Sequence, residues 1–259
     1  MGGARRPWRG GGIAARLGGD EGVPVARSSS TTAVARGFRQ VLNELESLGS
    51  EQTRRIYERH GISPPLWGVK FGDIAQLAKR VGHDHDLAVA LWDTGNHDAR
   101  MLACRVAEPG RFTVAQSNVW VRACDNYVLT EAVAAAIADS PIAKSRAANW
   151  RDRSGEWVAS AGWCIVAHLA MRSGELSDTE CRALLRQIGR EVHTRPNRVR
   201  HEMNQALIAI GSRSEALERE AARVAQKIGH VEVDHGVTGC TTPDAVDYLA
   251  KIAERRRQS

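Results

Sequence analysis

The chain has 259 residues, 42% hydrophobic and 25% charged, enough to build a sizeable core of ordinary globular composition. No apolar run approaches the roughly 18 residues of a membrane span, which excludes a spanning helix, and little of the chain alternates in β-branched residues, which argues against an all-β sandwich. The net charge of +6 favours an anionic partner, nucleic acid first, but residues 1–30 hold five arginines and two acids, half of that excess, so any footprint on the body must come from local clusters.

Residues 1–32 are rich in Gly, Arg and Ser and lack the apolar core of a secretory signal, so they are expected to be a disordered arm. Trp8 within it is a solvated tail residue or a ring that can stack on a base. Residues 33–259 are expected to form one domain, helix after helix. Phe38, Val41, Leu42, Leu45 and Leu48 recur at three- and four-residue spacing and predict a helix closed by Gly49. A short helix over 51–59 follows, then a loop at Ser63-Pro64-Pro65 and a helix over 71–81. Asp84 caps a helix running through Leu87, Leu91 and Trp92, and the helix over 98–107 is stopped by Pro109 and Gly110. Further helices are predicted over 113–125, 127–139, 141–150, 155–172, 178–192, 198–211, 214–229 and 243–256. Ser177 and Glu180 have capping-box spacing, and Thr242 before Pro243 is expected to cap the last helix.

Three segments share a pattern, polar residues first and then small apolar ones: His97–Ala103, Glu156–Gly162 and Asn197–Met203. Glu156 and Arg198 lie 42 residues apart, near the period of HEAT-type helix pairs, so the expected fold is all-α, an α-solenoid with a concave basic face. Basic residues cluster twice, at Lys144, Arg146, Arg151 and Arg153 beside Trp150 and Trp157, and at Arg195, Arg198, Arg200 and His201 at a helix start. Positive charge at a helix start opposes the helix dipole. Either the helix end is simply solvated, or a phosphate backbone lies there. Asp125 sits among Asn126, Tyr127 and Thr130. It is either the cap of the helix that follows or a carboxylate that stabilises a developing cation. The five dispersed cysteines, Cys104, Cys124, Cys164, Cys181 and Cys240, form no CxxC pair and read as reduced, buried thiols. His235 and Cys240 have no further ligands nearby, so no metal and no cofactor is expected, and the Gly-containing loop around them is expected to dock the last helix.

That loop, VDHGVTGCTTPDA (Val233–Ala245), followed by Tyr248 and Lys251, resembles the C-terminal signature of one branch of the DNA alkylation repair family, the AlkD-like proteins. The resemblance continues in Trp67-Gly68-Val69-Lys70-Phe71-Gly72, in LAVALWDTGNHDARMLA (Leu87–Ala103), in VWVRACDNYVLTE (Val119–Glu131), in EWVASAGWCIVAHLA (Glu156–Ala170) and in RVRHEMNQALIAIG (Arg198–Gly211). It implies a HEAT-like solenoid that takes duplex DNA in a basic cleft. It also implies excision of cationic N3- and N7-alkylpurines, with an aspartate stabilising the sugar cation and with aromatic rings and an arginine holding the damaged nucleotide unflipped. By the resemblance, Asp125 falls at the catalytic aspartate. The tryptophan expected one turn earlier falls on Val121, with Trp120 one residue, about 100° of rotation, away. The arginine falls on Ser160, with Trp163 three residues on, and the last aromatic falls on Gln205. The expected site is therefore Asp125 and Trp120 for catalysis, with Lys144, Arg146, Arg151, Trp163, Arg195, Arg198, Arg200 and Gln205 on DNA. The expected protein is a cytoplasmic, nucleoid-associated monomer that binds alkylated or branched DNA. Base excision, non-catalytic binding of branched or distorted DNA, and a protein-interaction solenoid all remain open.

Overall fold

The computed structural model of the protein describes residues 28–258, with side chains from residue 37. Its helices are α1 (Ser28–Ser47), α2 (Glu51–Arg59), α3 (Phe71–Val81), α4 (His85–Asp93), α5 (His97–Val106), α6 (Val114–Arg122), α7 (Tyr127–Ala138), α8 (Ala143–Trp150), α9 (Glu156–Ala170), α10 (Asp178–Glu191), α11 (Asn197–Gly211), α12 (Glu215–Ile228) and α13 (Ala245–Gln258). No strand occurs among the described residues. Helix α1 opens at Ser28 rather than near Ala33, so it begins inside the segment read as an arm. Trp8 and the rest of that arm, residues 1–27, lie outside the described residues.

The odd-numbered helices from α3 to α13 pack each on the next and form one layer of an α-solenoid. The even-numbered helices flank them, α4 on α5, α6 on α7, α8 on α9, α10 on α11 and α12 on α13. Helix α9 is central. It is held between α7, α11 and α8, and its residues Ala159–Val166 are buried without interruption. An even-odd pair must come close to seal such a core, and Gly162 permits it. A Cβ there would stand 2.7 Å from the Cα of Arg151 and 2.8 Å from the carbonyl carbon of Trp150. Trp92 of α4 and Trp120 of α6 stack in parallel, centroids 4.2 Å apart, with Phe112 edge-on to Trp120 at 5.2 Å.

Local capping follows the sequence in most places. Asp84 accepts the N–H of Leu87, and Ser177 and Glu180 form the reciprocal capping box. Two expectations are corrected. Asn126, not Asp125, caps α7 by accepting the N–H of Leu129. Asp244, not Thr242, caps α13 by accepting the N–H of Asp247, while the Thr242 hydroxyl serves two histidines. Cys104, Cys124, Cys164 and Cys181 are buried, whereas Cys240 is exposed in the loop before α13.

Candidate nucleic-acid interface

The starts of α5, α9 and α11 share a device. Each presents a polar side chain to the backbone of a neighbouring segment. Asp98, fully buried in the first turn of α5, accepts the N–H groups of Trp67 (2.6 Å), Gly68 (3.0 Å) and Val69 (3.1 Å). Gly68 makes the cradle possible, because its φ of 77° lies in the left-handed region that side chains avoid. The segment Trp67-Gly68-Val69 is thus a backbone nest closed by a carboxylate. Glu156, opening α9, accepts the N–H of Arg198 at 2.7 Å and so caps α11. Asn197, opening α11, accepts the N–H of Asp234 and donates to its carbonyl, both at 2.7 Å. Tyr127, opening α7, pairs its hydroxyl with His60 Nδ1 at 2.9 Å. The starts of α7, α9 and α11 line a cleft of about 290 Å³ that includes Tyr127, Trp157, Arg198 and His235.

Arg198 is the centre of that edge. It is buried, its guanidinium carbon lies 4.2 Å from the Tyr127 ring centroid, Nη2 is 3.6 Å from Glu131 and Nη1 donates to His235 Nδ1 at 3.2 Å. That donation leaves the His235 proton on Nε2, which donates to the Thr242 hydroxyl at 2.9 Å. The Gln205 amide donates to His201 Nε2 at 3.3 Å, so His201 carries its proton on Nδ1 and donates it to the same hydroxyl. Burial, then the Arg198 charge and His235, push His201 down to about 4, and it is neutral at pH 7. This accounts for Arg198 without DNA: Tyr127, Glu131 and His235 use its charge inside the protein.

Arg195 also finds an internal reason. Its Nη2 donates to the carbonyls of Arg151 (2.8 Å) and Arg153 (3.0 Å), just past the C-terminal end of α8, where the helix dipole attracts a cation. The start of α11 is therefore basic partly because the end of α8 lies beside it. Lys144 is exposed on α8 and bridges to Glu180 of α10 at 3.2 Å. Arg146 is half-buried and donates to Asn118, as does the indole of Trp150. Arg151 and Arg200 are half-buried, and Arg200 donates to Asn197 at 3.3 Å. Lys144, Arg146, Arg151, Arg195 and Arg200 remain the cations of the proposed footprint that reach the surface.

The expected aromatic contacts do not reach the surface. Trp120 is sealed in the stack with Trp92 and Phe112, and Trp163 is fully buried in α9 with its indole N–H unpartnered. Neither ring can touch DNA in this conformation. At the positions that the resemblance gave to an aromatic and an arginine, Val121 and Ser160 are buried as well. Gln205 is half-buried beside His201. Asp125 is exposed, with one protein partner, the Asn126 amide at 2.8 Å. The sequence reading missed Asp98 and Glu156 as clamps, because their partners lie 29–31 and 42 residues away.

The class that fold and edge define is a HEAT-like helical solenoid. A family model for DNA alkylation repair enzymes matches residues 41–249, and the chain belongs to that family. A solved structure superposes with a TM-score of 0.77 at 30% identity, covering 85% of this chain and 95% of that one. It comes from proteins described as related to the HEAT-like repeat DNA glycosylases, with affinity for branched DNA structures. The uncharacterized protein Lmo0209 of Listeria monocytogenes serovar 1/2a is 29% identical over 226 residues, 85% of this chain and 99% of that one. Lin0241 of Listeria innocua serovar 6a is 30% identical over 224 residues, 84% and 98%. No described helix is long and apolar enough to cross a membrane.

Proposed function

We propose that this protein binds branched DNA along the odd-helix layer and its edge, and does not excise bases. The observation that carries this reading is the isolation of Asp125. Of the expected catalytic set it alone offers an exposed side chain, while Val121, Ser160, Trp120 and Trp163 are all buried. A carboxylate can lower the barrier to glycosidic cleavage only if the nucleotide is held against it, and the rings and guanidinium that would hold it are missing. The solved relative with affinity for branched DNA supports the same reading. Arg195 and Arg200 at the start of α11, with Arg151 just past the end of α8, supply the phosphate contacts on that edge, and Lys144 and Arg146 of the flanking α8 extend them; such contacts position DNA without reading sequence.

The test is a titration of junction, fork and plain duplex DNA at rising salt, with single-turnover incubation of duplex containing N7-methylguanine. The junction is expected to bind about tenfold more tightly than duplex. Affinity should fall with salt at a log–log slope of about −0.9 per neutralised phosphate, and no methylated base should be released. Equal affinity for duplex and junction would overturn the branched-DNA reading. Base release that Asp125→Asn abolishes would establish the rival reading, excision, which the exposure of the Asp125 carboxylate favours.

A further inference from the structure

We propose that the groove between α9, α11 and α13 is a nucleobase subsite that takes the edge of one unpaired, uncharged base from the bound DNA. This rests on the DNA reading above and names what the odd-helix layer recognises at a branch point, where bases lack partners. The groove encloses about 470 Å³, room for a nucleoside, and lies beside the edge through His201 and Gln205. Its walls suit a flat heterocycle. The half-exposed Tyr248 lines it together with apolar side chains that include Met171, itself largely exposed. A ring against such walls supplies stacking that tolerates any base.

The polar groups are those that read a base edge. Gln205 spends one amide proton on His201 and keeps its carbonyl and a second N–H for a ligand. Glu202 lies on the same groove, 5% exposed. Burial, reinforced by the neighbouring Glu131 charge, holds its carboxyl up to about 8. Protonated, it offers an O–H donor beside a C=O acceptor. That pair matches the adjacent acceptor and N–H of adenine or cytosine, as a carboxamide does.

The same inventory excludes other ligands. Beside the Glu131 carboxylate, the one guanidinium that lines the groove, Arg255, which already has an interaction within the protein, makes a poor phosphate site. The Glu131 carboxylate is paired with Arg198, so no unpaired negative charge remains to favour a cationic alkylated base over a neutral one.

The experiment compares two three-way junctions, identical except that one carries an unpaired adenine at the branch and the other a tetrahydrofuran residue there. Binding to the full chain is followed by fluorescence anisotropy for wild type, Ala167→Trp, which fills the groove, and Tyr248→Ala, which removes its ring. Wild type is expected to bind the adenine junction about tenfold more tightly, the worth of one stacked and hydrogen-bonded base. Both variants should bind the abasic junction as wild type does and lose the preference. Thermal melting checks that Ala167→Trp is folded, and Tyr248, half-exposed, can be truncated without opening the core. The proposal is overturned if wild type shows no preference, or if the preference survives in both variants. Should neither junction bind at all, titration with adenosine decides. Binding that Ala167→Trp abolishes keeps the subsite, for free nucleosides, and overturns only the DNA reading. No binding overturns both.

Discussion

Asp98 and Asp125 stand at the entrances of neighbouring odd-numbered helices and behave as opposites. Asp98 is fully buried and its two oxygens accept three backbone N–H groups, so three of about four lone-pair sites are used and none is open to a ligand. Asp125 is exposed, and one neighbouring amide is its only side-chain hydrogen bond among the described residues. The first residue builds the solenoid and the second stands exposed on its surface. A carboxylate at the start of a helix is thus no sign of chemistry by itself. What separates the two is whether backbone donors have already saturated it, and that is decided by a segment about 30 residues away.

The sharpest test of the contrast is to remove each carboxylate. Asp98→Ala leaves three buried N–H groups without an acceptor and is expected to cost about 3–5 kcal/mol in chemical denaturation. Asp98→Asn keeps one acceptor oxygen and should fall between that value and wild type. A loss below about 1 kcal/mol for Asp98→Ala would mean that water replaces the carboxylate and the nest is not a clamp.

A next smaller effect is expected in the groove, where a third carboxyl is buried without a backbone cradle. Glu202 titrates at about 8 in the folded protein, against 4.5 ordinarily, so between those values the folded state holds a proton that the unfolded chain releases. Stability therefore falls as pH rises through this window. His201, pushed down to about 4, acts oppositely: its contribution is lost as pH falls from 6.5 to 4. The two offset at acidic pH and leave Glu202 alone between 6.5 and 8. Glu202→Gln is expected to raise stability at pH 8 by on the order of 1–3 kcal/mol and to leave it unchanged below pH 4.5. Urea denaturation of both proteins across pH 4–9 measures this, and parallel profiles would show that Glu202 is ionised in the fold.

Gly162→Ala tests the close approach of α8 and α9. The added methyl would overlap the backbone of Trp150 and Arg151, an overpacking worth about 1–3 kcal/mol. Unchanged stability would show that the two helices slide apart freely. The smallest effect belongs to Asp125→Asn. With Asn126 as the cap, the substitution should change stability by less than about 0.5 kcal/mol and leave junction affinity unaltered. A loss near 1 kcal/mol would return Asp125 to a structural role and erase the contrast with Asp98.

These cases also show what the sequence made legible. Helix order, nearly every helix boundary, the Asp84 cap and the Ser177–Glu180 box could be read because each depends on residues within one turn. The family followed from blocks whose order and spacing are preserved. The site was harder. In α9 the residues from Ala159 to Val166 are all buried, so no apolar stripe marks a face, and Trp163 read as a surface ring. Trp120 lies in a helix that meets its aromatic partners only after folding, Trp92 lying 28 residues earlier. Arg195 and Arg198 looked like unexplained charge at a helix start. Their explanations, the carbonyls at the end of α8 and the Tyr127–Glu131–His235 set, are contributed by other segments.

The stacked indoles of Trp92 and Trp120 also give the protein an optical signature. Parallel rings at 4.2 Å couple their electronic transitions, so near-ultraviolet circular dichroism reports directly on the contact of α4 with α6. Trp157 is different, half-buried in the cleft where the odd-numbered helices begin, and its emission senses that edge. A ligand that docks on the edge should shift the emission and leave the dichroism untouched, whereas loosening of the solenoid should abolish the dichroism first. With seven tryptophans in the chain, the same two spectra of Trp157→Phe and Trp92→Phe identify these contributions and so separate occupation of the edge from disruption of the fold.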